Sequence, residues 1–178
     1  MKIKKLLAIV LSVVISVTVS SMLLTSNVFS TEVGDKAAAI ILDDIQASGD
    51  IIKQSILSKA EGKKYILLEF MSITCGPCVG NLPNLQKLNN DRDLSAVAEI
   101  RMISIDRNQK LVMDFLNKNR SKIDYSFSLD LLREAMKAYK ITATPTTFIV
   151  DENGIVIYKH LGSYDEEIMS EIKDVLLK

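Results

Sequence analysis

The chain has no tryptophan, one histidine, two cysteines and three prolines in 178 residues. Each shortage excludes something. A structural zinc site usually takes four Cys or His ligands, so this composition argues against one. Two cysteines make one bridge at most, which excludes a small scaffold stapled by several disulfides. Seven glycines and three prolines leave no room for low-complexity or collagen-like sequence. Neither charge sign is in excess, with 22 Lys+Arg against 22 Asp+Glu. The basic footprint of a nucleic-acid binder is therefore missing. So is the composition of an acidic disordered tail. Hydrophobic residues at 48% and charged residues at 25% are ordinary for one globular domain.

The charges are unevenly placed. Lys2, Lys4 and Lys5 open the chain, and no charged residue follows until Glu32. Between them lies an apolar run, densest over Leu6–Val19 and extended by Met22-Leu23-Leu24. A basic start, an apolar run and a polar end make an export signal. Val28-Phe29-Ser30 permits cleavage after Ser30. Alternatively residues 6–29 stay in the membrane as a single-pass anchor, since a span needs about 20 residues. The length of the run favours the anchor. The three lysines would stay cytoplasmic, so everything from Glu32 onward is expected outside the cytoplasm. The expected organisation is a signal or anchor over residues 1–31 and one domain without repeats over residues 32–178.

Within that domain, Ala37–Leu42 and Ile51-Ile52 read as short strands around a polar turn, Asp43–Asp50. Lys64–Phe70 is an almost unbroken apolar run, which fits a strand buried on both faces. Val97–Ile105 reads as a second such strand. Gln109–Asn119 sets Leu111, Val112, Phe115 and Leu116 on one helical face, and Leu132, Ala135, Met136 and Tyr139 repeat that spacing. Thr146–Val150 is a strand, and Asn153-Gly154 a tight turn into a strand over Ile155–Tyr158. Ile168, Ile172, Val175 and Leu176 close the chain as an amphipathic helix. Alternating strands and helices predict an α/β layer fold with helices on the sheet faces.

Both cysteines lie in one motif, Cys75-Gly76-Pro77-Cys78. It follows the buried strand, and the apolar helical pattern Val79, Leu82, Leu85, Leu88 follows it. Cys75 is thus expected at a helix N-terminus, where unpaired N–H groups and the helix dipole stabilise a thiolate. Only the thiolate attacks a disulfide, so Cys75 is the expected nucleophile and Cys78 the shielded resolving thiol. A static structural disulfide is the plainer reading, but so short a loop gains little chain-entropy stabilisation. His160 follows the strand Ile155–Tyr158 and reads as a surface residue at a hairpin end.

Cys-Gly-Pro-Cys after a buried strand resembles the thioredoxin active site. Thr144-Pro145, Pro83, and the stretch from Val33 to Asp44 extend the likeness to the extracytoplasmic thiol-disulfide oxidoreductases of the TlpA/ResA type. The resemblance implies a thioredoxin fold with an N-terminal hairpin extension, a helix and strand inserted between Arg107 and Tyr139, and a mixed central sheet flanked by helices. It implies a cis Pro145 facing the cysteines, with Thr144 offering its backbone to an extended substrate, as in strand addition. Gly76, Pro77 and Thr74 would line the same substrate surface. Glu69 falls where thioredoxins carry a buried carboxylate, whose pKa burial would raise. That group would take the Cys78 proton as the mixed disulfide resolves. No cofactor or metal is called for. The implied partners are extracytoplasmic protein thiols and disulfides, with a membrane protein as electron donor.

The sequence also departs from the family. Thr74 stands where thioredoxins usually carry Trp, and Asn81 where the TlpA type often has an acid. Two other functions share the fold. A peroxiredoxin-like peroxidase would match Ser72, three before Cys75, but has proline where this chain has Leu68. A copper carrier spaces its cysteines one residue wider and adds a histidine.

Overall fold

A computed structural model describes residues 31–46 and 48–178. The expected signal or anchor lies outside the described residues, apart from Thr31. Among the described residues no helix is long and apolar enough to cross a membrane.

The described strands are β1 (Ile41–Ile45), β2 (Ile51–Ser55), β3 (Tyr65–Met71), β4 (Ala98–Ser104), β5 (Ser126–Leu129), β6 (Thr146–Val150) and β7 (Val156–Leu161). They form one sheet in the order β2-β1-β5-β4-β3-β6-β7. The β3–β4 and β4–β5 pairs are parallel and the others antiparallel. The helices are α1 (Gly76–Asn90), α2 (Arg92–Val97), α3 (Gln109–Asn119), α4 (Glu134–Ala138) and α5 (Glu166–Leu176).

The middle of the sheet is buried on both faces, and β3 shows how. Successive strand side chains point to opposite faces. Leu67 and Met71 join the core that includes Leu82, Leu85 and Leu88 of α1. Ile66, Leu68 and Phe70 join the opposite core with Phe148, Tyr139 and Ala135. Glu69 shares the face of Leu67 and Met71, so the strand period carries a carboxylate into the layer beneath α1. In β6 the same period puts Ile149 in the α1-side core and Phe148 in the other. Thr147, directly across from Glu69, therefore faces α1 as well.

Several sequence expectations need correction. The first strand is Ile41–Ile45, not Ala37–Leu42, so Asp43 and Asp44 are strand residues rather than the start of a turn. Asp44 is fully buried because partners meet it: Ser128 Oγ donates to Oδ1 at 2.7 Å and Gln46 Nε2 to Oδ2 at 2.6 Å. The buried Arg101 lies beside it, bonding the Ser55 carbonyl at 3.1 Å and the Glu99 carboxylate at 2.9 Å. The helix expected from Leu132 spans only Glu134–Ala138, and Leu132 itself is exposed. Leu111 is also exposed, although its helix has the expected bounds. The short helix α2 was not expected. Residues 32–37 run along β7, with Gly34 N–H bonded to Val156 O at 2.8 Å and Ala37 N–H to Gly154 O at 2.9 Å. They cover the start of that edge of the sheet, where an exposed edge would invite unwanted pairing.

Tyr139 fastens this N-terminal segment. Its hydroxyl donates to the Ala38 carbonyl at 3.0 Å, while its ring packs 5.1 Å from Phe70 and 5.3 Å from Phe148. Tyr139→Phe keeps the ring and loses the bond. The expected result is a loss of about 1 kcal/mol in stability, the usual net worth of such a bond. Urea unfolding followed by circular dichroism checks it.

Candidate active site

The site begins where β3 turns into α1. Asp106, just beyond β4, holds the turn. Its carboxylate accepts Ser72 Oγ at 2.7 Å, Ile73 N–H at 2.8 Å and Ser104 Oγ at 2.8 Å. The Ser72 hydrogen is committed to Asp106, so the Thr74 hydroxyl, 3.0 Å away, donates to Ser72. Thr74, exposed where Trp is usual, is tied into this clamp. Cys75 N–H then bonds Ser72 O at 3.1 Å, which fixes Cys75 as the N-cap of α1.

Cys75 and Cys78 form a disulfide, with their Cα atoms 5.2 Å apart. Cys78 is 1% exposed, whereas Cys75 is half-exposed and Gly76 and Pro77 are open to solvent. The Cys78 N–H points at Cys75 Sγ from 3.2 Å. The first turn of α1 also carries no acid. A helix N-terminus of this kind stabilises the thiolate of a reduced dithiol. Pro83 lies inside α1. Having no N–H, it leaves the Val79 carbonyl without its usual helical donor.

Across from the dithiol, the Thr144–Pro145 peptide is cis. The Thr144 carbonyl oxygen lies 3.4 Å from Cys75 Sγ. The loop is anchored at both ends, by Thr146 Oγ1 on Ala143 O at 2.7 Å and Gly162 N–H on Pro145 O at 3.0 Å. Neither residues 72–81 nor residues 141–150 include a charged side chain. The chain on either side of Cys75 and of Pro145 thus carries small, hydroxyl, amide and apolar groups, with the Asp106 carboxylate bonded to Ser72 and Ile73 beside them.

Glu69 is 1% exposed. Oε1 accepts Asn81 Nδ2 at 3.2 Å. Oε2 lies 2.6 Å from Thr147 Oγ1 and 2.8 Å from the Tyr164 hydroxyl. The last two oxygens are themselves 2.8 Å apart. Asn81, one turn after Cys78 on α1, also accepts the Tyr164 N–H at 2.9 Å. Burial pushes the Glu69 carboxyl above its ordinary value, and the three hydrogen bonds offset this only in part. Burial, with the nearby Glu69 charge, pushes the Tyr164 phenol well up.

The structure gathers the expected residues around one centre: Cys75, Cys78, Gly76, Pro77 and Thr74 on one side, Thr144 and Pro145 on the other, and Glu69 beneath. Sequence reasoning missed Asp106, Thr147 and Tyr164, and met Asn81 only as a departure from the family. Period-two alternation in β6 gave a signal for Thr147; nothing local marked Tyr164. His160 is half-exposed, its ring 6.0 Å from that of Tyr164.

A mixed sheet carrying a Cys-x-x-Cys at a helix N-terminus, faced by a cis-proline loop, defines a thioredoxin-fold site for thiol-disulfide exchange. The chain belongs to the Redoxin family, which matches residues 32–176. It is 30% identical over 125 residues to the thioredoxin-like protein YneN of Bacillus subtilis, covering 69% of this chain and 71% of that one. It is 26% identical over 143 residues to the thiol-disulfide oxidoreductase ResA of Halalkalibacterium halodurans, covering 80% and 76%. The crystal structure of StoA from Bacillus subtilis superposes with a TM-score of 0.61 at 26% identity, covering 78% of this chain and 97% of that one. With the dithiol in place, the protein is a thiol-disulfide oxidoreductase.

Proposed function

We propose that this enzyme reduces disulfides of other proteins outside the cytoplasm, with Cys75 as the attacking thiol. The observation that carries the reading is the half-exposed Cys75 sulfur 3.4 Å from the Thr144 carbonyl, between two chain segments without charged side chains. An extended client segment there can bond the Thr144 backbone while its disulfide meets Cys75. Gly76, Pro77 and Thr74 shape the surface it lies on.

The Cys75 thiolate attacks one client sulfur, and the other client sulfur leaves as a thiolate and takes up a proton. Cys78 then loses its proton to Glu69 and attacks Cys75 Sγ. The second client thiol departs and the Cys75–Cys78 disulfide closes. Two electrons have passed to the client. They return from a dithiol donor, and an enzyme outside the cytoplasm needs a membrane protein to supply them. The basic start and apolar run of the first 31 residues support that location, whether the segment stays as an anchor or is cut after Ser30.

The redox equilibrium of the protein against glutathione tests the direction, read by thiol alkylation and mass because there is no tryptophan to report it. A potential near the thioredoxin end, roughly −270 mV, fits a reductase. One near the DsbA end, roughly −120 mV, makes it a disulfide-forming enzyme and overturns the proposal. Labelling of Cys75 in intact cells by a membrane-impermeant maleimide tests the location; protection until lysis would refute it.

A further inference from the structure

Three oxygens stand in a closed triangle beneath the dithiol: Glu69 Oε2, Thr147 Oγ1 and the Tyr164 hydroxyl, with edges of 2.6, 2.8 and 2.8 Å. Every edge is hydrogen-bond length, and each bond needs its own proton. Thr147 and Tyr164 bring one each. With Glu69 ionised, two protons serve three edges, and two oxygens face each other across an edge with no hydrogen between them. With Glu69 protonated on Oε2, three protons serve three edges, and each oxygen donates once and accepts once. Oε1 is then the carbonyl oxygen, and it accepts the Asn81 amide. The triangle is buried, with Glu69 and Thr147 at most 1% exposed and Tyr164 6%.

We infer that Thr147 and Tyr164 are positioning residues whose hydroxyls close a three-proton ring around Glu69 and hold it as the neutral acid in the disulfide form. The inference rests on the reading of Glu69 as the acceptor of the Cys78 proton, and it completes that reading. The third proton of the ring is the one Cys78 gives up when the disulfide closes. On re-reduction the ring returns it. Asn81 keeps the parts in register, because one side chain bonds both Glu69 and the Tyr164 backbone. The other ionisable side chains beside the ring are Tyr125 ahead of β5, and Tyr158 and His160 on β7; Cys78 on α1 is held in the disulfide and carries no proton in this form. Tyr125 is itself buried, and its hydroxyl has no hydrogen-bond partner among the described residues. The two outer tyrosines keep their protons through neutral pH, so they add no charge there.

The test titrates Glu69 directly. The full-length oxidised protein is labelled at the glutamate carboxyl carbon, and its NMR shift is followed against pH; Glu69→Gln assigns the signal by removing it. The expected midpoint lies above the ordinary glutamate range. Taken singly, a hydroxyl bond to Glu69 favours its carboxylate, but Tyr164→Phe and Thr147→Val also remove the edge that the ionised form leaves empty, so each should lower the midpoint by about one pH unit, the scale of one hydrogen bond. Thr147→Ser keeps the hydroxyl and should restore the wild-type midpoint. A midpoint unmoved or raised in both hydroxyl deletions overturns the ring. The role of Glu69 is tested apart from this, by the decay of a mixed disulfide in Glu69→Gln. If that decay keeps its rate while the hydroxyl deletions shift the midpoint, the ring stands and the proton-acceptor role falls. If the decay slows while the midpoint does not move, the role stands and the ring falls.

Discussion

Cys75→Ser is expected to abolish disulfide reduction, and Cys78→Ser to stop it one step later with the client still attached. The first change removes the half-exposed thiol. Removing a nucleophile costs on the order of a thousandfold or more in rate. No other thiol can substitute, since the chain has two cysteines and the second is 1% exposed. The second change leaves attack intact, because the helix N-terminus and the backbone N–H of residue 78 still favour a Cys75 thiolate. The mixed disulfide then has no neighbouring thiol to resolve it. Non-reducing electrophoresis and intact mass should show an adduct between Cys78→Ser and an oxidised client, sensitive to dithiothreitol. Cys75→Ser should show none. Equal trapping by the two variants would mean that the buried sulfur attacks, against the geometry described.

How much of this was legible in the sequence follows from the range of the interactions. The dithiol, its strand and its helix are local patterns, and each was readable from a few neighbouring residues. The helix Gln109–Asn119 was readable to its ends for the same reason. The first strand was displaced because Asp43-Asp44 looks like a turn. Only the fold shows Asp44 answered by Ser128, 84 residues on. The strand Ser126–Leu129 has four residues and alternates serine with apolar side chains, too little for periodicity to mark. The resemblance alone implied a strand there. Glu69 could be suspected from its place before the motif, but its partners stand 78 and 95 residues away in Thr147 and Tyr164. Thr147 meets Glu69 through strand register and Tyr164 meets it from the loop between β7 and α5, so only the first leaves a trace in the sequence, as alternation along β6.

The same burial gives Glu69 a thermodynamic signature, and Glu69→Gln should expose it together with the loss of function. In the unfolded chain a glutamate releases its proton near pH 4.3. In the folded protein burial raises that value. Between the two, the native state binds more protons than the unfolded state, so stability falls as pH rises. The contribution is whole below the unfolded value, is lost through the window up to the folded value, and is flat beyond it. Each unit of that window costs about 1.4 kcal/mol. The substituted glutamine would be neutral throughout, with an amide that can serve the Thr147 and Tyr164 oxygens. Urea unfolding at a series of pH values should therefore show the wild type losing stability across this window and Glu69→Gln flattened by the same amount. The variant should be the more stable protein at alkaline pH. It should also be the poorer enzyme, with mixed-disulfide resolution slowed about a hundredfold at neutral pH, the low end of what general acid–base groups contribute. A carboxylic acid kept in an apolar layer at a cost in stability, and useful only when a neighbouring thiol must lose its proton, is the expected form of a stability–activity trade-off. Parallel pH profiles for the two proteins would show instead that Glu69 ionises in the fold without penalty, and the case for it as a proton acceptor would lose its physical basis.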